Sequence, residues 1–399
     1  MLLLERNRGQ MKIAFVIPWY GDIPGGAENE CKRTAENLQK SGIEVEILTT
    51  CVKEFLSDWN NNFYKEGVYE VNGITVRRFR LRQRDTKLFD RINLKLMHNQ
   101  KVSPHEEVKY ITEMINSDNL YKYISENTSK YDYFLFIPYM FGTTYFGSKI
   151  CPERSILIPC LHDESYAYMG IYKKMFEGVR GIIFHSDLEL KLAEKLYDLK
   201  CNKRVLGEGI DTEIQFDRKR FQKKNGINDE FLLYAGRREI GKNVPMLVDY
   251  FIKYKKENDN NLRLILIGNG EVNIPRSQNK NIIDLGFVPI QDKYDAYSAA
   301  TVLCQPSVNE SFSIVIMESW LCGTPVLVHA NCEVTRDHCI KSNGGLYFNN
   351  YEEFKECINF YRMNPHLARK MGNNGRDYVI NNYAWNKVVE KYKTFLLEL

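Results

Sequence analysis

The segment Val-Leu-Cys-Gln-Pro-Ser-Val-Asn-Glu-Ser-Phe-Ser-Ile-Val-Ile-Met-Glu, residues 302–318, joins a short apolar run to a second apolar segment through a polar loop. The run at 302–305 is typical of a strand that is covered on both faces of a sheet. Ser311 or Ser313 can cap the helix that follows, because both side chains can accept hydrogen bonds from backbone N–H groups. The segment therefore predicts a helix whose N-terminus lies at the carboxyl end of a strand.

The same strand-and-helix pattern recurs along most of the chain. Further apolar runs lie at 12–18, 45–49, 133–137, 155–159, 181–184, 231–235, 262–267, 282–285 and 325–329. This alternation predicts an α/β protein with doubly wound, parallel sheets. The chain has 399 residues, more than one hydrophobic core usually organises, so we expect two Rossmann-like domains.

The predicted domains comprise residues 11–206 and 207–382, followed by a terminal amphipathic helix at 383–399. The charged, weakly apolar stretch at 211–228 is typical of a link between them. Open α/β sheets bind ligands at the carboxyl ends of their strands. The candidate site is therefore expected in a central cleft between the two domains.

Composition favours an ordinary globular protein over disordered or membrane-spanning classes. Hydrophobic residues make up 44% and charged residues 27% of the chain, and the mean hydropathy is −0.42. The apolar opening at residues 1–4 is too short for the core of a signal peptide, so we expect a disordered leader before Met11. Ten cysteines without a Cys-x-x-Cys pair favour reduced thiols in a cytosol over disulfides or a zinc site.

Basic residues are concentrated between Arg77 and Lys101. This basic stripe contains Arg77, Arg78, Arg80, Arg82, Arg84, Lys87, Arg91, Lys95 and Lys101, opposed only by Asp85 and Asp90. Interleaved aromatic and leucine residues make it suitable for an anionic membrane surface or a phosphorylated acceptor. A solvated face on a core helix explains the same pattern equally well.

Glu310 and Glu318 form the strongest chemical signal of the sequence. Seven residues separate them, and both lie at or near the start of the predicted helix. Carboxylates accept charge-assisted hydrogen bonds from vicinal hydroxyls, which a ribose or a hexose provides. The N–H groups near Ser313 would attract phosphate at the same place. An incidental carboxylate pair on a solvated helix is the alternative for two glutamates in isolation.

A second signal lies in the segment Tyr-Ala-Gly-Arg-Arg-Glu-Ile-Gly-Lys-Asn, residues 234–243. It places Arg237 and Lys242 in the turn between a strand and a helix. Arginine binds phosphate bidentately and lysine supplies a point charge, so the two could neutralise a departing diphosphate. The chain contains no Asp-x-Asp pair, and we expect these cations to replace a metal ion. Arg238 is expected at the surface.

Weaker signals come from two glycine loops and one histidine. Gly25 and Gly26 follow the first strand, where a backbone could approach a ligand, although a tight turn without a ligand is the ordinary explanation. The Gly268-Asn-Gly270 turn is an incomplete dinucleotide fingerprint. His162 could hydrogen-bond a donor hydroxyl or assist acceptor deprotonation, and a histidine satisfied by local backbone is equally compatible. His185 and His329 are weaker candidates.

Taken in the order in which they occur along the chain, these motifs resemble those of the family 4 retaining glycosyltransferases of the GT-B fold. The Gly25-Gly26 loop, the Glu208-Gly-Ile-Asp211 segment, the 236–243 turn and the Glu310–Glu318 pair carry the resemblance. It implies that Glu310 contacts the donor sugar, Glu318 the ribose and Val288 the base. It also implies that the last helix crosses back to the first domain. Ser311 and Ser313 depart from the glycines that are usual there, as Glu208 departs from asparagine.

The resemblance implies two overlapping sets of site residues. Donor contacts are implied for Gly26, Gly236, Arg237, Lys242, Val288, Glu310, Ser311, Phe312, Ser313, Ile314 and Glu318. Catalytic roles are implied for Arg237, Lys242, Glu310 and His162. No cofactor and no metal ion are expected.

The implied reaction moves a hexose from a nucleoside diphosphate to an acceptor hydroxyl with retention of configuration. We expect a saccharide or lipid-linked acceptor in polysaccharide, lipopolysaccharide or glycolipid assembly, and no nucleic-acid partner. The expected location is cytoplasmic or peripheral at the inner face of the cell membrane. The alternatives are a sugar-nucleotide epimerase, a phosphorylase on the same fold and a catalytically silent donor-binding subunit. A nicotinamide dehydrogenase fits less well because neither glycine loop is a complete fingerprint.

Overall fold

The computed structural model describes residues 10–23, 25–238 and 240–399, with no side-chain description for residue 240. Except for residue 10, the expected leader lies outside the described residues. The chain divides into two compact units: Met1–Gly209 with Val388–Leu399, and Ile210–Lys387. Each unit contains one sheet with the strand order of a Rossmann-like fold, which confirms the predicted fold class.

The first unit is built on an eight-stranded sheet in the order β3-β4-β2-β1-β5-β6-β7-β8. Its strands are β1 (Lys12–Ile17), β2 (Glu44–Thr50), β3 (Gly67–Val71), β4 (Ile74–Phe79), β5 (Tyr133–Phe136), β6 (Ser155–Leu157), β7 (Gly181–Phe184) and β8 (Asn202–Val205). All neighbours run parallel except β3 and β4, which form an antiparallel hairpin at the edge. Strands β1, β5 and β7 are almost wholly buried, as sheets covered on both faces require.

Helices cover this first sheet. They are α1 (Gly26–Lys40), α2 (Thr86–Met97), α3 (Pro104–Thr112), α4 (Asp118–Asn127), α5 (Gly142–Gly147), α6 (Lys173–Gly178) and α7 (Asp187–Leu196). Side chains cap four of them in the expected way: Asp85, Ser103, Ser117 and Ser186 each accept a hydrogen bond from the first turn of α2, α3, α4 and α7. These caps fix where each helix begins relative to the sheet.

The second unit has a six-stranded, fully parallel sheet in the order β11-β10-β9-β12-β13-β14. Its strands are β9 (Phe231–Ala235), β10 (Arg263–Ile267), β11 (Ile282–Gly286), β12 (Val302–Gln305), β13 (Val326–His329) and β14 (Gly345–Phe348). Its helices are α8 (Arg218–Asn225), α9 (Val244–Glu257), α10 (Ile290–Ala299), α11 (Ile314–Leu321), α12 (Glu333–Ser342), α13 (Tyr351–Met363) and α14 (Pro365–Tyr383). The 211–228 stretch that was expected to be a link therefore contains α8.

The strand order creates a switch point between β9 and β12. From β9 the chain proceeds outward through β10 and β11, and then returns to place β12 on the other side of β9. The loops that follow these two strands therefore separate at the same edge of the sheet and leave a crevice. The segments 236–243 and 306–313 are these loops.

Two glycines of α14 hold α11 close to the rest of the second unit. A Cβ atom at Gly372 would lie 2.1 Å from the carbonyl oxygen of Gly323, and one at Gly375 would lie 2.2 Å from the ring of Trp320. Trp320 is fully buried and donates its indole N–H to the carbonyl of Gly344 at 2.9 Å. Larger residues on α14 would push α11 away from the crevice.

The last helix, α15 (Trp385–Glu398), buries its apolar face with the first unit. Val388, Val389, Tyr392, Phe395 and Leu396 are the buried residues of this face. A Cβ atom at Gly181 on β7 would lie 3.1 Å from the Phe395 ring, so α15 packs directly on this strand. None of the described helices has the length and apolarity that a membrane span requires. All ten cysteines lie within the described part of the chain and are free thiols.

Candidate functional site

The loop after β9 depends on glycines that permit a close approach of two backbones. A Cβ atom at Gly268 would lie 1.9 Å from the carbonyl oxygen of Gly236, and Gly268 has a φ of 129°. The N–H of Gly236 donates to the carbonyl of Ile267 at 3.0 Å, and the buried Tyr234 hydroxyl donates to the carbonyl of Arg237 at 2.5 Å. The turn that carries Arg237 is therefore fixed to β10 and β9.

The two neighbouring arginines of this turn have opposite surroundings. Arg237 is exposed, whereas only 3% of the Arg238 side chain is accessible. Both terminal nitrogens of Arg238 bond to the carboxylate of Asp284 on β11, and Nη1 also donates to the carbonyl of Gly270 at 3.0 Å. The expectation that Arg238 lies at the surface is wrong, because Asp284 provides a partner inside the unit.

Lys242 and Glu310 meet across the crevice. The Nζ atom of Lys242 donates to Oε1 of Glu310 at 2.8 Å, and Nε2 of Gln305 donates to the same oxygen at 3.1 Å. The two charged side chains are 24% and 11% exposed, so the pair lies at the border between the unit and solvent. The structure thus brings together one residue from each of the two predicted motifs.

The N-terminus of α11 lies beside this pair in the chain and lacks a side-chain cap. Ser313 occupies the N-cap position with a φ of 76°, in the left-handed region, and its side chain makes no capping hydrogen bond. Its Oγ atom is buried without a hydrogen-bond partner among the described residues. The prediction of a serine cap is wrong because this backbone conformation turns the side chain away from the first turn. The first-turn N–H groups are therefore not occupied by the N-cap side chain.

Glu318 is fixed by two residues of α10. Lys293 Nζ donates to its Oε1 at 2.8 Å, and the Tyr297 hydroxyl donates to its Oε2 at 3.0 Å. Burial raises the pKa of Tyr297 well above its usual value, and the adjacent carboxylate raises it further. The phenol therefore stays protonated and remains a donor. Neither partner was predicted from the sequence, since both lie on a different helix from Glu318.

Other members of the predicted donor set are distributed between surface and core. The Phe312 ring is fully buried and packs edge-on against His338 and Tyr383, so its side chain belongs to the core of the second unit. Only the backbone of Phe312 can face a ligand. Val288 is half-buried against the same core, Ser311 and Ile314 are half-buried, and Phe287 is 71% exposed.

In the first unit, the glycine loop after β1 is shaped by Glu28. A Cβ atom at Gly25 would lie 1.9 Å from Oε2 of the Glu28 carboxylate, whose other oxygen, Oε1, accepts the indole N–H of Trp19 at 2.5 Å. A larger residue at position 25 would therefore break this contact. Gly26 is the first residue of α1 and has open space around its Cα atom, which a ligand could approach.

His162 follows β6 and is half-buried. Its Nδ1 atom lies 4.0 Å from Glu164, which is beyond hydrogen-bond distance. Burial raises the pKa of Glu164, while the neighbouring imidazole opposes this shift. Asp163 accepts a hydrogen bond from the Tyr168 hydroxyl at 2.6 Å. The His162 side chain is 32% exposed, so its imidazole is accessible to a ligand.

Most of the basic stripe is engaged within the first unit. Arg77 pairs with Glu46 at 2.8 Å, Lys95 pairs with Glu106 at 2.6 Å, and Arg82 pairs with Asp118. Arg78 is buried and donates to the carbonyl of Tyr20 at 2.6 Å, and Arg84 donates to the carbonyl of Glu113 at 2.6 Å. The exposed members are Arg80, Lys87, Arg91 and Lys101.

The apolar residues of the stripe also divide between core and surface. Phe79, Phe89, Ile92 and Leu96 are buried. Leu94 and Met97 are 56% and 64% exposed and share a helix face with Lys87 and Arg91, which we call the α2 outer face. Asp90 is also exposed on α2. The stripe thus contributes a smaller basic and apolar surface than its composition predicts.

Comparison with known proteins finds a family similarity in the second unit. Residues 215–378 match the family described as glycosyl transferases group 1. An uncharacterized glycosyltransferase of Methanocaldococcus jannaschii is 25% identical over 96% of this chain and 94% of its own length. The alpha-monoglucosyldiacylglycerol synthase of Streptococcus pneumoniae is 27% identical over 44% of this chain and 43% of its own length.

Solved structures share the whole fold. The Anabaena protein HepE, solved in complex with UDP-glucose, covers 98% of this chain and 100% of its own chain with a TM-score of 0.69 and 14% identity. Such a likeness concerns the fold alone. Together with the family match, it confirms the predicted resemblance at the level of group 1 and of the GT-B fold.

Proposed function

We propose that this chain is a group 1 glycosyltransferase that moves a hexose from a nucleoside diphosphate to an acceptor hydroxyl with retention of configuration. The observation that carries the proposal is the 2.8 Å contact between Lys242 and Glu310 at the switch point of the second unit. A cation and a carboxylate at this edge, next to an uncapped helix, suit a ligand that carries both phosphate and hydroxyl groups.

Each part of the donor has an assigned partner. Arg237, Lys242 and the N–H groups at the start of α11 hold the diphosphate, since a guanidinium, an ammonium group and a helix N-terminus each attract phosphate. Glu310 accepts hydrogen bonds from the sugar. Glu318, fixed by Lys293 and Tyr297, accepts hydrogen bonds from the ribose hydroxyls. Val288 and the backbone around it cradle the base.

Transfer proceeds on one face of the sugar. The acceptor oxygen forms a bond to the anomeric carbon while the bond from that carbon to the diphosphate oxygen breaks. The departing phosphate oxygen takes the acceptor's proton, so no separate base is required. Arg237, Lys242 and the α11 N–H groups stabilise the charge that develops on the leaving group. His162 hydrogen-bonds a donor hydroxyl or orients the acceptor hydroxyl. Arg237 and Lys242 supply the positive charge that a metal ion would otherwise provide.

The donor that we propose to test first is UDP-glucose. HepE shares the fold and is described in complex with UDP-glucose, which supports a nucleotide-sugar donor without fixing the base or the hexose. The identity of the base and of the hexose depends on the side chains of individual loops around the donor. A panel of uridine, guanosine and adenosine diphosphate hexoses is therefore the appropriate screen.

The acceptor that we propose is a saccharide or a lipid-linked molecule at an anionic membrane surface. The Streptococcus pneumoniae relative is described as a synthase of a glucosylated diacylglycerol, which supports a lipid acceptor. The α2 outer face adds a local reason, because Lys87 and Arg91 attract anionic head groups while Leu94 and Met97 can enter the interface. A peripheral position at the inner face of the membrane follows, with function in glycolipid or polysaccharide assembly.

The test is turnover of the donor panel with membrane lipid extracts or saccharides as acceptors, with and without EDTA. We expect release of nucleoside diphosphate that depends on acceptor, survives chelation and yields a product with the anomeric configuration of the donor by NMR. Conversion of the donor without acceptor would indicate an epimerase, and a requirement for free phosphate would indicate a phosphorylase. Binding without turnover would indicate a silent subunit. Loss of activity on chelation, restored by manganese or magnesium, would contradict the metal-free clamp.

A further inference from the structure

A buried network of charged side chains lies at the carboxyl ends of β6 and β7 in the first unit. His185 follows β7, and its Nε2 atom is hydrogen-bonded to Glu30 of α1. Its Nδ1 atom lies 3.4 Å from Glu189 Oε2 on α7. The side chains of His185, Glu189 and Glu30 are 0%, 0% and 3% exposed. These three residues form what we call the Glu30–His185–Glu189 network.

The network places the His185 imidazole between the carboxylates of Glu30 and Glu189. Burial alone would lower the pKa of His185, but the adjacent Glu30 and Glu189 raise it well above its usual value. A buried ion network contributes little net stability compared with apolar packing of the same volume, because each charge loses its hydration. The segments that the network holds in place therefore deserve a functional explanation.

Two of its contacts reach the residues that precede His162. Glu189 Oε1 accepts the backbone N–H of Leu161 at 2.7 Å, and the Cys160 thiol lies 3.7 Å from Glu30 Oε2. Cys160 has a φ of 53°, a left-handed conformation that is strained for a residue with a side chain. Such strain persists only where surrounding contacts fix it, and it concentrates at functional sites. The network thus fixes the backbone of the two residues that precede His162.

We propose that Glu189 is a positioning residue that sets the place of His162 for hexosyl transfer through the Leu161 N–H group. Glu30, through His185, ties the same segment to α1 and its glycine loop. This inference rests on the proposed function, since it assigns His162 a contact with donor or acceptor. The imidazole itself makes no hydrogen bond to a side chain among the described residues, and the Glu164 carboxylate lies 4.0 Å away, so the backbone position of residue 162 sets where the ring starts from.

The test is a double-mutant cycle in the full chain. The variants are Glu189→Gln, Glu189→Asp, His162→Ala and the Glu189→Gln/His162→Ala double variant. Displacing a contacting group by about 1 Å costs up to about a hundredfold in rate, so we expect kcat to fall about 10- to 100-fold in both Glu189 variants. In the His162→Ala background, Glu189→Gln should lower kcat less than about threefold, because the group that it positions is already absent.

A matched control lies on the same helix. Glu194 of α7 is 46% exposed and pairs with Lys203 at 3.4 Å, so Glu194→Gln should leave kcat unchanged. Donor KM should change no more in the Glu189 variants than in His162→Ala if Glu189 affects only the position of His162. Carbethoxylation of His162, followed by mass spectrometry, provides a readout that does not need turnover. Its rate should rise in both Glu189 variants.

The outcomes separate this proposal from the proposed function. A wild-type chain that transfers no hexose would contradict the proposed function, while carbethoxylation would still report on the positioning of His162. Wild-type turnover in Glu189→Gln and Glu189→Asp, or losses that multiply fully with His162→Ala, would overturn the positioning role. Ligand atoms of Glu30, Cys160 and His185 lie within 4.8 Å of one another. One metal ion per chain, lost in Cys160→Ala, would overturn it in favour of a metal centre.

Discussion

Arg237 and Arg238 are adjacent in the chain, but their side chains contribute to different properties. Arg237 is exposed on the turn after β9, whereas Arg238 is buried against Asp284. We predict that Arg237→Ala lowers the transfer rate about a hundredfold or more, since it removes a charge that faces the leaving group. Arg238→Ala should lower the free energy of unfolding by about 1–3 kcal/mol, because the hydrogen bonds of the buried guanidinium to Asp284 and to the carbonyl of Gly270 are lost. Steady-state kinetics and urea denaturation measure the two effects.

Another exposed arginine of the second unit provides the control for this pair. Arg276→Ala removes an exposed charge of the segment between β10 and β11 and should change neither rate nor stability. Normal turnover of Arg237→Ala at saturating donor would mean that the diphosphate is held elsewhere. An unchanged urea midpoint for Arg238→Ala would mean that the pair with Asp284 contributes nothing to stability.

Glu310 and Glu318 should differ in whether they contribute to the binding of free nucleoside diphosphate or only to that of the sugar-bearing donor. We predict that Glu318→Gln weakens binding of free nucleoside diphosphate and of the sugar-bearing donor, because both contain the ribose. Glu310→Gln should weaken only the sugar-bearing donor. Hydrogen bonds to a charged group contribute about 1.5–3 kcal/mol, so we expect losses of about tenfold to a hundredfold in Kd. Calorimetry with both ligands measures this, and equal losses in both variants would refute the assignment.

At the scale of residues, the location of a functional side chain was easier to predict from the sequence than the residue that it hydrogen-bonds. Lys242 and Glu310 each follow a strand, and parallel strands end at a common edge, so their meeting follows from the order of elements. The partners of Glu318 could not be derived in the same way. Lys293 lies 25 residues away on another helix, and only packing decides that its side chain reaches the carboxylate. Arg238 was misplaced for the same reason, since Asp284 belongs to a different strand.

At the scale of elements, α2 combines a buried face with the α2 outer face. We predict that the full chain binds vesicles with anionic lipid at low salt and releases them at high salt, because each basic side chain near the surface contributes about 1 kcal/mol that salt screens. The variant with Lys87→Gln, Arg91→Gln, Leu94→Ser and Met97→Ser should lose this binding. Co-sedimentation with neutral and anionic vesicles measures both effects.

The control for α2 is a helix of the second unit with exposed basic residues. Arg218→Gln with Lys219→Gln on α8 removes the same number of charges and should leave vesicle binding unchanged. Equal loss in the two variants would show that net charge alone governs binding. Wild-type chain that ignores anionic vesicles at low salt would leave α2 a solvated helix and would favour a soluble acceptor.

Elements with strong apolar runs were predicted well, and polar ones were not. Strands such as β9 and β12 are wholly buried and stand out in the sequence. The β3–β4 hairpin was missed because β3 is largely exposed and its residues follow no buried run. Helix α8 was missed because Phe221 is its only buried residue, and its remaining residues are charged or polar. A short element that is buried on one side contains too few apolar residues for its hydrophobic periodicity to be recognised in the sequence.

At the scale of the whole molecule, the chain returns to its first unit at the end. Residues Val388–Leu399 group with Met1–Gly209 although the intervening residues form the second unit. Periodicity predicts the amphipathic helix at 383–399 but does not say which surface it covers. That choice depends on an apolar strip around β7, where the small Gly181 makes room for Phe395.

Two adjacent leucines of α15 allow this arrangement to be tested. Leu396 is fully buried in the first unit, and Leu397 is 68% exposed. We predict that Leu396→Ala lowers the free energy of unfolding by about 2–5 kcal/mol, because a buried leucine is removed and a cavity remains. Leu397→Ala should change it by less than about 0.5 kcal/mol.

Because Leu396 belongs to the first unit and the diphosphate clamp to the second, nucleoside diphosphate Kd should be unaffected in both variants. Urea denaturation and calorimetry measure the two quantities. Equal stability of the two variants would contradict the packing of α15, and weaker nucleotide binding in Leu396→Ala would contradict the independence of the clamp.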